Sequence, residues 1–128
     1  MQPNICPLCS IGSHRGDIVH YLNDDFIVVS TKDKKGHFER IMIIYINHEK
    51  DITPVEYDNA MFIIDSICPE IFDYTDKVVV MDGKYSELKD HWHLVITDIE
   101  PDCDDFPAIL HTPWLRVIDL ENDNRVLV

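Results

Sequence analysis

No stretch of this chain approaches the roughly 20 consecutive apolar residues that a membrane helix needs. Its longest apolar run is Ile41-Met42-Ile43-Ile44-Tyr45-Ile46, and Met1-Gln2-Pro3-Asn4 carries no basic leader. A soluble, cytoplasmic protein is the expectation. Positive charge is scarce as well: 11 Lys and Arg stand against 24 Asp and Glu, for a formal net charge of −13. That field opposes the long-range attraction on which binding of polymeric DNA or RNA relies, while a nest of amides, a helix start or a few cations could still hold one small phosphate. The four cysteines, Cys6, Cys9, Cys68 and Cys103, are too few and too irregular for a secreted disulfide framework, so reduced or metal-bound thiols are expected. Internal repeats and low-complexity linkers are lacking too. What remains, 128 residues of which 45% are hydrophobic, suits one domain spanning residues 1–128.

Apolar periodicity supplies the elements. Ile18 to Leu22, Phe26 to Ser30, Arg40 to Ile46, Lys77 to Met81 and Trp92 to Thr97 read as strands, with a weaker one over Arg116 to Leu120. The near-continuous apolar strand from Arg40 is expected to be central. One helix is expected over Asp51 to Cys68: Thr53-Pro54-Val55-Glu56 offers an N-cap hydroxyl, proline at N1 and glutamate at N3. Tyr57, Ala60, Met61, Ile64, Ile67 and Cys68 then recur at helical spacing, which makes Cys68 a core residue, and Pro69 is expected to stop the helix. Short loops favour antiparallel pairing. The fold class is therefore α+β: an antiparallel sheet of about five strands, one main helix on a face and an N-terminal knuckle.

Candidate chemistry begins with Cys6-Pro7-Leu8-Cys9, whose two thiolates can share one tetrahedral Zn²⁺ if two more ligands come from elsewhere. His48 lies between the central strand and the helix, and His91 opens a later strand. Two thiolates and two neutral imidazoles would neutralise the ion. A redox dithiol would need a helix start behind it, and Ile11-Gly12-Ser13-His14-Arg15-Gly16 is a poor one. A pair of unliganded surface cysteines stays open beside the zinc reading. In His91-Trp92-His93-Leu94-Val95-Ile96-Thr97, strand alternation puts His91, His93, Val95 and Thr97 on one face and Trp92, Leu94 and Ile96 on the other.

The order C-P-x-C, strand, x-H, helix, H-W-H resembles the histidine triad (HIT) superfamily, including its galactose-1-phosphate uridylyltransferase branch, over residues 5 to about 98. The resemblance implies a HIT-like sheet with a structural zinc held by Cys6, Cys9, His48 and His91. It implies a small nucleotide or nucleotide-sugar ligand and, as HIT-like proteins are often homodimers, self-association. It also implies that His93, the middle triad position, is the nucleophile of a nucleotide hydrolase or nucleotidyltransferase acting through a nucleotidyl-histidine. Two departures bear on this. The third triad position is Val95, where the family has histidine or glutamine, and losing one such donor costs on the order of 10²–10³ in rate. The segment before the triad lacks the family's Gln-Ser-type phosphate pair, leaving Ser86, Lys84 and Lys89 as the nearest substitutes, while Glu87 would repel a phosphate it faced. A non-catalytic, zinc-stabilised nucleotide-binding or interaction module of the same fold is the alternative.

The remaining candidates have blander readings. His37, after Gly36, resembles the family's Gly-His but is expected as a solvent-facing turn residue, and His14, His20 and His111 are expected at the surface or in turns. The acidic stretch Asp98 to Asp105 lacks the glycine and terminal glutamate of a calcium loop and reads as solvated. Trp114 and Leu115 are expected to anchor the C-terminal segment on the sheet or at a subunit contact.

Overall fold

The computed structural model describes residues 7–10, 17–32, 37–75, 77–83, 88–98 and 114–119, the last as backbone. After a 3₁₀ turn at Pro7–Ser10 come β1 (Val19–Leu22), β2 (Phe26–Ser30) and β3 (Arg40–Tyr45). The helix α1 (Pro54–Ile71) follows, then β4 (Lys77–Asp82), β5 (His93–Asp98) and β6 (Trp114–Asp119). All six strands join one sheet in the order β1-β2-β3-β5-β4-β6, and every pairing is antiparallel. The expected α+β architecture is thus present with six strands, the weak C-terminal run included: β6 completes an edge against β4. No helix among the described residues is long and apolar enough to cross a membrane.

The helix starts where its capping chemistry requires. Thr53 accepts from the Glu56 amide at 3.1 Å, and the Glu56 carboxylate accepts from the Thr53 amide at 2.8 Å, a reciprocal capping box with Pro54 at N1. Glu56 also accepts from the Tyr45 hydroxyl at 2.7 Å, which ties the helix start to the end of β3. The expected stop at Pro69 is corrected: the helix runs through it to Ile71. Proline in the last turn forfeits only its own bond to the Asp65 carbonyl. Burial of Phe72, whose amide donates to the Cys68 carbonyl at 2.8 Å, carries the chain onward.

Strand alternation then divides the core in two. Phe26, Ile41, Ile43, Leu94 and Ile96 face Ala60, Ile64 and Cys68 of the helix. Each buried Phe, Ile or Leu among these contributes about 1.5–3 kcal/mol. The opposite face carries a smaller cluster in which Leu8 of the 3₁₀ turn packs on Ile27, Val29 and Ile44. Burial of Leu8 is what fixes the N-terminal turn against the sheet and brings the neighbouring Cys9 to the end of β3.

At the opposite end of β3, His37 departs from expectation. It is buried, with its Nδ1 2.7 Å from Asp98 Oδ1. Asp98 Oδ2 also accepts from the Tyr74 hydroxyl at 2.5 Å and the Phe38 amide at 3.0 Å. A buried carboxylate must be neutralised and hydrogen-bonded, and recruiting His37 from the β2–β3 loop meets that need. His20 is likewise half-buried on β1, its Nε2 2.7 Å from Ser30 Oγ. His14, His111 and the segment 99–113 lie outside the described residues.

Candidate metal centre and the adjacent histidine

Three of the four sequence-predicted ligands come together. Cys9 Sγ lies 3.2 Å from His48 Nδ1 and 3.6 Å from His91 Nδ1, and the three donor atoms are all within 4.8 Å of one another. An ion bound tetrahedrally, with Zn–S about 2.3 Å and Zn–N about 2.0–2.1 Å, sets sulfur and nitrogen about 3.6 Å apart. The observed spacings therefore suit a single small divalent cation. Cys6, the fourth predicted ligand, lies outside the described residues.

The chain delivers each donor by a separate device. Cys9 is held by Leu8. His48 sits in the exposed loop between β3 and the helix, a loop pinned to the start of β5 by the Trp92 amide donating to the Glu49 carbonyl at 2.6 Å. His91 is fully buried just before β5, and its Nε2 donates to the Tyr45 carbonyl at 2.7 Å. A carbonyl only accepts, so the proton is on Nε2 and the lone pair on Nδ1 faces Cys9. Such a backbone bond to the outer nitrogen is how metal-binding histidines are oriented. Burial holds the His91 imidazole below its ordinary pKa, partly countered by the Tyr45 bond and reinforced by His48, so it is neutral and ready to ligate. The His48 and His91 rings stand edge to face, 5.0 Å between centroids.

His93 opens β5 on the face away from the helix, nearly fully buried, opposite Ile44 of β3. Its Nδ1 donates to the His91 carbonyl at 2.8 Å, which leaves the lone pair on Nε2. Burial is the main cause of a lowered pKa, so the imidazole is neutral near pH 7. Val95 follows on the same face, paired with Met42 and Met81, which gives the third triad position apolar company on both sides. Lys89 is exposed in the turn before His91, while Lys84 and Ser86 lie outside the described residues.

Gly83, which follows β4, is not among the candidates that the sequence offers. It is buried, and a Cβ built there would lie 2.5 Å from His93 Cε1 and 2.6 Å from its Nδ1. Only a residue without a side chain lets the imidazole lie against the end of β4. Nothing in the spacing of Gly83 pointed to His93, because the contact depends on the β4–β5 register. Compared with known proteins, the chain matches no family model and no curated protein.

Proposed function

We propose that the chain is a HIT-like nucleotide hydrolase or nucleotidyltransferase, built on a structural zinc site and acting through His93. The observation that carries the reading is the pair of oriented histidines on one short segment. His91 turns Nδ1 toward Cys9 and His48, while His93 is locked by the His91 carbonyl, which puts its lone pair on Nε2. Zinc, completed by Cys6, would supply rigidity, fixing the N-terminal turn, the His48 loop and the start of β5 to one another. In the chemical step His93 Nε2 attacks the α-phosphorus of a nucleotide. The N–P bond forms as the P–O bond to the leaving group breaks, and water or a second phosphate then takes the nucleotidyl group. Lys89, with Lys84 and Ser86, is assigned to the ligand's phosphates. The net charge of −13 is consistent with a small nucleotide or nucleotide-sugar ligand and against a nucleic-acid polymer.

A second reading, a non-catalytic nucleotide-binding or interaction module of the same fold, is favoured by one observation: Val95 sits among Met42 and Met81 and offers no donor to a phosphate. One experiment separates the two. Zinc-replete protein is incubated with dinucleoside polyphosphates, nucleoside phosphoramidates and sugar nucleotides and followed by intact mass and product analysis. Turnover, with an adduct absent from His93→Ala, supports the enzyme. Ligand-induced thermal stabilisation without product or adduct rejects the enzyme in favour of the binding module, and silence in both assays rejects both nucleotide readings.

A further inference from the structure

The outer face of α1 carries apolar side chains that the fold does not use. Its inner face is buried against the sheet through Ala60, Ile63, Ile64 and Cys68, whereas Val55 and Phe62 are 69% and 72% exposed. These two lie seven residues apart, which is two helical turns, about 10.5 Å along the axis and within about 20° of one direction. They form a stripe along the middle of the solvent side, where a surface helix normally carries polar residues. Asp58 and Asp65, also seven apart, border the stripe on one flank, and Asn59 and Ser66 border it on the other, all four exposed. The Ser66 hydroxyl donates back to the Phe62 carbonyl at 2.8 Å, so covering that flank leaves this donor satisfied.

Charge selects what can cover the stripe. The helix Pro54–Ile71 holds Glu56, Asp58, Asp65 and Glu70 and no lysine, arginine or histidine. Even its last turn, where the negative end of the helix dipole favours a cation, has Glu70 and no basic residue. A second copy brings the same acids and no cation, and in an antiparallel two-fold pair each acidic flank meets its own image. An anionic bilayer surface is repelled for the same reason. A helix with lysine or arginine beside its own apolar seam satisfies the stripe and the acids together.

We propose that this face of α1 is the docking site for a basic amphipathic helix of another protein. Val55 and Phe62 seat its apolar seam, and its cations lie beside Asp58 and Asp65. Phe62 is the anchor, since an exposed aromatic ring buries the larger apolar area on docking. The site is independent of the functional reading above: α1 covers one face of the sheet, and His93 lies on the other.

The test uses the full-length chain and a synthetic helical peptide about three heptads long, with leucine at its seam positions and lysine at the flanking ones. A twin peptide carries glutamate in place of lysine. Affinity is read by calorimetry, and the contact is mapped by amide chemical-shift changes. The lysine peptide is expected to bind with a Kd of about 10–100 µM, as suits a contact smaller than a standard interface, with the shifts centred on α1. The glutamate twin should bind at least about tenfold more weakly. Phe62→Ser keeps every charge and should weaken the lysine peptide about tenfold, with Tm nearly unchanged because the ring is exposed in the free chain. Asp58→Lys should weaken the lysine peptide about threefold or more and strengthen the glutamate twin. No binding, equal binding of the twins, or binding that Phe62→Ser leaves intact overturns the proposal. So does a dimer in sedimentation that Phe62→Ser dissociates, which assigns the face to a second copy.

Discussion

Replacing Gly83 with alanine probes the packing that orients His93. The new methyl carbon would stand 2.5 Å from Cε1 and 2.6 Å from Nδ1 of the imidazole, and it would press on the His93 carbonyl as well. Contacts that short must be relieved by moving the ring or by spreading β4 from β5, where Asp82 pairs with Leu94. Overpacking a buried site costs about 1–3 kcal/mol. Against this, alanine restricts the unfolded chain, a gain of about 0.4–1 kcal/mol at best. The cost wins, and a net loss of about 1–2 kcal/mol is expected, or about 4–8 °C in Tm for a domain of this size. Urea denaturation followed by tryptophan fluorescence should show a lower midpoint at unchanged slope, the sign of reduced stability without a change in the denatured state. Bound metal should be retained, because the three atoms nearest the new methyl group all belong to His93 and none to Cys9, His48 or His91. Wild-type stability in Gly83→Ala would refute the argument, since the ring could then not lie where its bond to the His91 carbonyl requires.

Three further comparisons address the scaffold. Asp98→Ala removes the acceptor of buried His37 and of the hydroxyl of exposed Tyr74 and should cost about 3 kcal/mol in urea denaturation, against about 1 kcal/mol for Tyr74→Phe, which removes a single hydrogen bond. Thr53→Ala should lose about 1 kcal/mol of cap energy, and Glu56→Ala more, because Glu56 also accepts from Tyr45; equal losses would show that the Tyr45 bond contributes nothing. Burial, then the hydrogen bond to Asp98, raises the pKa of Tyr74, so the folded protein keeps a proton that the unfolded chain releases near pH 10. That stabilisation is complete below about pH 10 and is lost as pH rises further, so wild type should weaken more steeply than Tyr74→Phe between about pH 9.5 and 11.

What could be read without coordinates was what is local. Thr53, Pro54 and Glu56 declare the helix start because a capping box involves residues three apart, and the apolar runs declare the strands because alternation is a nearest-neighbour property. Pro69 misled because its penalty depends on where in the helix it falls, and burial of Phe72 draws the last turn past it. His37 looked exposed because its partner, Asp98, lies 61 positions away. Cys9, His48 and His91 were legible as a set through the family resemblance, spacing alone offering only the Cys6 and Cys9 pair, and the structure brings these three donors together. Gly83 against His93 was not: it depends on which strand lies beside which and in what register. The crossover that inserts β5 between β3 and β4 is invisible to any local pattern.

The most direct test of the account is the metal content of untagged protein purified without added chelator, measured by elemental analysis alongside Cys9→Ser, His48→Ala and His91→Ala. One equivalent of zinc per chain in the wild type, lost or sharply reduced in each variant, is the expected result. Wild-type protein that is folded and metal-free, and that takes up no zinc on titration, would show that the 3.2 and 3.6 Å contacts of Cys9 are only hydrogen bonds between a thiol and two imidazoles, and would contradict the account at its base.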